Sequence, residues 1–247
     1  MMDSGILLAL AFFTAALLYS SVGHGGASAY LAVMALAAFS PEMMRACALW
    51  MNVSVSLLAT ILFFLAGHFR WSLFWPFAVT ALPLAWLGGR VALQTDGFYL
   101  LVGAALVVAA LRFFLPLPVK DPRHLSLTTS LCVGGAMGLL SGLVGVGGGI
   151  FLTPLLLLAG WARTKEAAAV SAPFILVNSL AGLAGMASAG HHPALPSAFP
   201  LWLGTALLGG IIGASWGSRV ARPVWLRNAL GVVLLVAAVK FGVQTFA

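Results

Sequence analysis

Polar chemistry in this chain is concentrated in three places inside otherwise apolar sequence. The stretch SSVGHGGASAY, residues 20–30, carries Ser20, Ser21, Gly23, His24, Gly25, Gly26 and Ser28. The stretch GLVGVGGGIFLTP, residues 142–154, carries Gly145, Gly147, Gly148, Gly149 and Pro154. Asn52 and Asn178 stand alone in long apolar runs. Glycine and serine weaken a helix, so each cluster predicts a break followed by a new helix start, near Ala27 and near Ile150. A helix start presents free N–H groups and about half a positive charge, which together make an anion site. Two such starts brought together form a small oxyanion cradle. The hydroxyls of Ser20, Ser21 and Ser28 add donors. His24 is the ionisable side chain expected near mid-depth; it can bind an anion when protonated or donate a hydrogen bond when neutral. The second copy has Val146 there, so the cradle is asymmetric. The two asparagines both donate and accept, and their alternative is simple interhelical bonding.

These residues need elements that hold them in a nonpolar solvent. The 247 residues are 62% hydrophobic and 7% charged, with mean hydropathy +1.09. A soluble domain carries about 25% charged residues, so this composition predicts an all-α polytopic membrane protein. The net charge of +7 is scattered over loops with no basic run. That reads as membrane anchoring and excludes a nucleic-acid partner. The N-terminal apolar run is too long for a cleavable signal core and lacks a basic n-region.

Gaps between charges place a broken element at 5–39 and helices near 43–66, 72–91 and 98–115. After a polar link come a second broken element at 128–160 and helices near 167–189, 198–219 and 225–245, about eight membrane elements in all. The halves match: VGHGG from Val22 aligns with VGVGG from Val144, GRVA from Gly89 with SRVA from Ser218, and Asn52 with Asn178. The division is therefore a first repeat at 1–115, a linker at 116–127 and a second repeat at 128–247. As one straight helix, residues 5–39 would measure about 50 Å against a hydrocarbon core of about 30 Å. Arms of about 20 Å on either side of the first cluster suit a re-entrant hairpin. With hairpins each half has three crossings, the repeats are inverted, and Arg45, Arg90 and Lys240 face the other nine basic residues, as the positive-inside rule prefers. Parallel repeats, with each broken element crossing once, are the alternative.

Other patterns carry less. Glycines at four-residue spacing, 134–138–142, then 145–149 after a step of three, and 209–213–217, suit close helix packing. Cys47 and Cys132 form no CxxC pair and are expected as small packing residues. GASWG at 213–217 imitates a nucleophile elbow but has no strand before it, so no enzyme is expected. All five carboxylates fall in or near loops, which disfavours a pump built on membrane carboxylates. No metal or cofactor is called for; His191 and His192 lack spaced partners.

At VGVGGGIFLTP and its first-half counterpart VGHGGASAYL the chain resembles the TauE/SafE family of sulfite and organosulfur-anion exporters. The first copy departs from the pattern: His24 interrupts it, Ala27 replaces the third glycine of the run, and Ala32 stands opposite Pro154. The resemblance implies a cofactor-free, inner-membrane secondary carrier for sulfite, thiosulfate or sulfonates. Substrate and lipid are the implied partners, and a homodimer stays open. Alternating access by rocking one repeat against the other is expected. A passive channel for a small anion or neutral solute is the alternative, and a non-transporting scaffold would leave the glycines as packing alone.

Overall fold

The computed structural model describes residues 2–21, 23–114 and 126–217, together with residues 235, 238, 239, 242 and 243. Of the linker expected at 116–127, residues 116–125 lie outside the described residues, as does nearly all of the element expected at 225–245; Ser126 caps the helix that Leu127 already opens. The described chain is helical: α1 Met2–Ser20, α2 Ala27–Leu36, α3 Pro41–Leu65, α4 Trp71–Arg90, α5 Thr95–Phe114, α6 Leu127–Val144, α7 Gly149–Leu158, α8 Thr164–Ser188 and α9 Phe199–Gly217. Five of these are long and apolar enough to cross a membrane, namely α3, α4, α6, α8 and α9.

Both interruptions fall where glycine and serine cluster. The first is asymmetric: α1 has 19 residues and α2 has 10, so the arms measure about 28 and 15 Å rather than 20 Å each. Helix α1 runs back to Met2, and α2 stops early because the chain turns at Ala38, with φ 59°, before Pro41 starts α3. The described carboxylates Glu42, Asp96 and Glu166 sit in the first turns of α3, α5 and α8, where the helix dipole favours negative charge.

Helices α3 and α8, 25 residues each, form the central antiparallel pair. Ala46 and Leu49 cluster with Met186 at one end, and Ala59 and Phe63 with Ala168 and Ala172 at the other. The flanking helices pack through glycine. A Cβ on Gly134, Gly138 or Gly142 of α6 would strike the backbone of Phe77, Ala81 or Ala85 of α4. A Cβ on Gly209, Gly213 or Gly217 of α9 would strike Phe13, Leu17 or Ser21 at α1 and its end. Both series rise together along the two helices, so α6 runs parallel to α4 and α1 parallel to α9. The packing role expected of these glycines is therefore observed. Gly145 and Gly149 leave the series: Gly145 caps α6, and Gly149 opens α7 against Ile175. Cys47 is buried as expected, but Cys132 is exposed. At about 100° per residue it lies roughly 120° around α6 from the middle of the glycine face turned to α4.

The basic residues mark the two ends. Arg45, 5% exposed, donates from Nη1 to Val91 O at 2.8 Å and from Nη2 to Gly88 O at 2.7 Å, closing the C-terminus of α4. At the far end Arg70 pairs with Glu166 at 3.4 Å, joining the starts of α4 and α8.

Close approach of backbones makes Gly138 and Gly213 intolerant of a methyl group, whereas a Cβ on Gly204 meets nothing within 4 Å. Gly138→Ala and Gly213→Ala should each destabilise by about 1–3 kcal/mol. Gly204→Ala should be neutral or stabilise by up to about 1 kcal/mol. Unfolding of the purified variants in detergent checks the contrast; equal effects at the three sites would contradict it.

Candidate functional site

The first break closes α1 before it opens α2. Gly23 N–H donates to Ser20 O and His24 N–H to Tyr19 O, both at 3.0 Å, so these two amides satisfy the end of α1. Gly145 does the same for α6, donating to Ser141 O at 2.8 Å. The next helices start from Gly26 and Gly148, with φ 98° and 78°, a left-handed conformation that favours glycine. Neither cap has a side chain to offer the first N–H groups of α2 and α7.

What lies beside these starts is set by α3 and α8. A Cβ on Gly25 would stand 2.5 Å from Asn52 Oδ1, and one on Gly147 would stand 2.6 Å from Asn52 Nδ2. The Asn52 carboxamide is thus clamped between the two breaks, one end against each. Both glycines also abut Cγ2 of Ile175, at 3.1 and 2.8 Å from the same Cβ positions. A Cβ on the neighbouring Gly148 would stand 3.4 Å from Asn178 Nδ2 and 2.9 Å from the ring of Phe174. The structure therefore brings Gly25, Gly147, Gly148, Asn52 and Asn178 to one place near the middle of the central pair.

Asn52, Asn178 and Ser179 are fully buried, and neither amide end of either asparagine, nor the Ser179 hydroxyl, forms a hydrogen bond among the described residues. A buried donor or acceptor left unsatisfied costs about 1–3 kcal/mol. Five such atoms at the meeting point of two helix breaks is a concentration that packing does not explain, because Leu at either asparagine position would fill the space without that cost.

The other residues anticipated for the site stand around this centre. Gly23 packs against Ala168, and Gly145 against Arg45, on opposite sides of it. Gly26 is backed by the ring of Tyr30. His24 is 8% exposed, with its ring edge-on to Tyr19 at 6.4 Å between centroids. Ser28 Oγ donates to the Tyr19 hydroxyl at 3.0 Å. Ser21 Oγ is taken up by Leu18 O at 2.7 Å, while Ser20 Oγ is buried and unpaired near α9, 3.5 Å from a Cβ on Gly210. Pro154 lies inside α7, beside Thr153, whose hydroxyl donates to Ser171 Oγ at 2.7 Å and ties α7 to α8.

Sequence reasoning missed Ile175, Ser179 and Tyr19. Ser179 had a readable signal, being a second polar residue next to Asn178 in an apolar helix. Ile175 had none. His68, His191 and His192 lie outside the helices, as expected of loop residues.

The family model described as Sulfite exporter TauE/SafE matches residues 7–241. The chain is 38% identical over 243 residues to the "Probable membrane transporter protein y4hK" of Sinorhizobium fredii (strain NBRC 101917 / NGR234), covering 94% of this chain and 96% of that one. No solved structure matches.

If the unpaired amides exist for a ligand rather than for folding, their removal should not weaken the empty protein. Asn178→Leu is expected to leave unfolding unchanged or stabilise by about 1–3 kcal/mol, whereas Ser171→Ala, which breaks a made hydrogen bond, should cost about 1 kcal/mol. Thermal unfolding without added solute measures both; strong destabilisation by Asn178→Leu would mean the amide is a structural bond.

Proposed function

The chain belongs to the sulfite exporter TauE/SafE family and is a membrane transporter; from that premise we propose that it is a secondary exporter of small sulfur-containing anions such as sulfite, thiosulfate or sulfonates. The observation that carries this reading is the Asn52 carboxamide held between the two glycine breaks, with Asn178 and Ser179 beside it, all buried and unpaired. Two helix starts supply backbone donors, and the asparagines supply side-chain donors, without a net charge that would hold the anion too tightly to release.

The proposed topology is two inverted repeats. Helix α3 leaves the Arg45 end, α4 returns to it, and α8 and α9 repeat the pattern from the Arg70 end. Since α1 runs parallel to α9 and leads through α2 back to the start of α3, residues 2–40 enter and leave at the Arg45 end. Since α6 runs parallel to α4 and leads through α7 to the start of α8, residues 127–163 enter and leave at the opposite end. These paths support a re-entrant hairpin from each face, which the proposed arrangement of three crossings per half requires, and the Arg70 end, which carries Arg163 and Lys165 as well, is proposed to face the cytoplasm of the inner membrane. An inside-negative potential then drives a monoanion outward with about 2.3 kcal/mol per 100 mV.

Alternating access needs a moving unit. Glycine contacts lock α1 to α9 and α6 to α4 across the two halves. The unit that rocks therefore includes helices from both halves rather than one repeat moving whole.

Efflux of sulfite from proteoliposomes tests this reading. A methyl group on Gly147 displaces Asn52 and strains a left-handed residue, at about 1–3 kcal/mol, so Gly147→Ala should slow saturable efflux about tenfold or more. Imposing an inside-negative potential should speed wild-type efflux. Sulfite flux equal in Gly147→Ala and wild type, or indifferent to potential, would overturn the proposal.

A further inference from the structure

Resting on the oxyanion reading of this site and narrowing it, we propose that the carried species is a monoanion that brings its own hydrogen-bond donor, an O–H or N–H beside the charged group, and that acceptor-only dianions, thiosulfate among them, are rejected.

The unpaired atoms are of both kinds. Asn52 and Asn178 each offer an Nδ2 donor pair and an Oδ1 acceptor, and Ser179 offers a hydroxyl that can do either. All three side chains are fully buried. An anion with acceptors only would satisfy the Nδ2 groups and the amides of the breaks, but it would leave two carbonyl oxygens unpaired and facing a like charge. Turning a carboxamide over does not help, because its two ends are clamped between Gly25 and Gly147 and one of them is always oxygen. A ligand with its own donor completes the set: hydrogensulfite in its O–H form, a hydroxyalkanesulfonate, or an N-acylated aminosulfonate.

The charge balance points the same way. Arg45, the buried guanidinium among the described residues, is committed through Nη1 and Nη2 to the carbonyls of Val91 and Gly88. Asn52, Asn178 and Ser179 are themselves uncharged and stabilise charge by neutral dipoles, with buried His24, next to Gly25, the titratable group at the first break. The Born cost of desolvating an ion grows with the square of its charge, so dipoles that suffice for a monoanion fall short for a dianion.

Calorimetric binding to the purified full-length protein separates these cases with three probes of fixed charge: 2-hydroxyethanesulfonate, ethanesulfonate and sulfate. A site built to pair a ligand O–H strongly rejects the analogue lacking it. The hydroxylated sulfonate should bind at least about tenfold more tightly than ethanesulfonate, and sulfate should bind most weakly. In Asn178→Leu the preference between the two sulfonates should shrink to about twofold; should that variant not fold, the wild-type order decides alone. Ethanesulfonate binding as tightly as its hydroxylated partner, or sulfate binding tightest, overturns the inference and leaves the oxyanion site standing. If neither these probes nor sulfite binds, the oxyanion reading falls and the inference with it.

Discussion

A helix that stops inside a bilayer leaves up to four N–H or C=O groups without partners at each end, and hydrocarbon supplies none. This chain interrupts its helices twice, at 21–26 and 145–148, and in the proposed re-entrant topology both breaks lie inside the bilayer, so that the rest of the fold follows from that need. The ends of α1 and α6 close on themselves through Gly23, His24 and Gly145. The starts of α2 and α7 cannot, so they must be enclosed. The two 25-residue helices α3 and α8 do this by running side by side, placing Asn52 and Ile175 where both breaks meet them.

Enclosure demands close packing. Glycine at 134, 138 and 142 lets α6 approach the backbone of α4, and glycine at 209, 213 and 217 lets α9 approach α1. Small residues thus have two separate functions here. On helix faces they shorten the distance between axes; at the breaks they admit an asparagine side chain against the backbone. Some polar side chains beside the packing glycines are satisfied within their own helix, as with Thr205 bonding Trp202 O at 3.0 Å, or by the neighbouring helix, as with Thr80 bonding Leu131 O at 2.7 Å, whereas both amide ends of Asn52 and of Asn178 beside the breaks are unpaired. Unpaired amides are a cost to the folded state, and they persist only where something other than folding requires them.

The break positions were legible because glycine and serine are the residues that cannot sustain a helix: a start expected near Ala27 is at Ala27, and one expected near Ile150 is at Gly149. Asn52 and Asn178 stood out in the sequence as lone asparagines at aligned places, and the packing glycines by their spacing. Less could be read of lengths and directions. The unequal arms of α1 and α2 depend on the turn at Ala38, which no composition signals. The exposure of Cys132 depends on which face of α6 meets α4. Ile175 is one apolar residue among many, and only the register of α8 against α3 makes it the floor of both breaks. The exact contacts of Arg45 were likewise invisible, since a basic residue near a helix start reads as an anchor whether or not it reaches the end of α4.

The central claim is that the buried carboxamides of Asn52 and Asn178 meet the solute between the breaks. The chain has one further asparagine, Asn228, so selective ¹⁵N labelling of asparagine side chains yields three NH₂ signals in the reconstituted protein. On titration with sulfite, the account predicts that the signals of Asn52 and Asn178, assigned by single Asn→Gln variants, both shift and saturate together. Signals of Asn52 and Asn178 that stay fixed at saturating sulfite would contradict it.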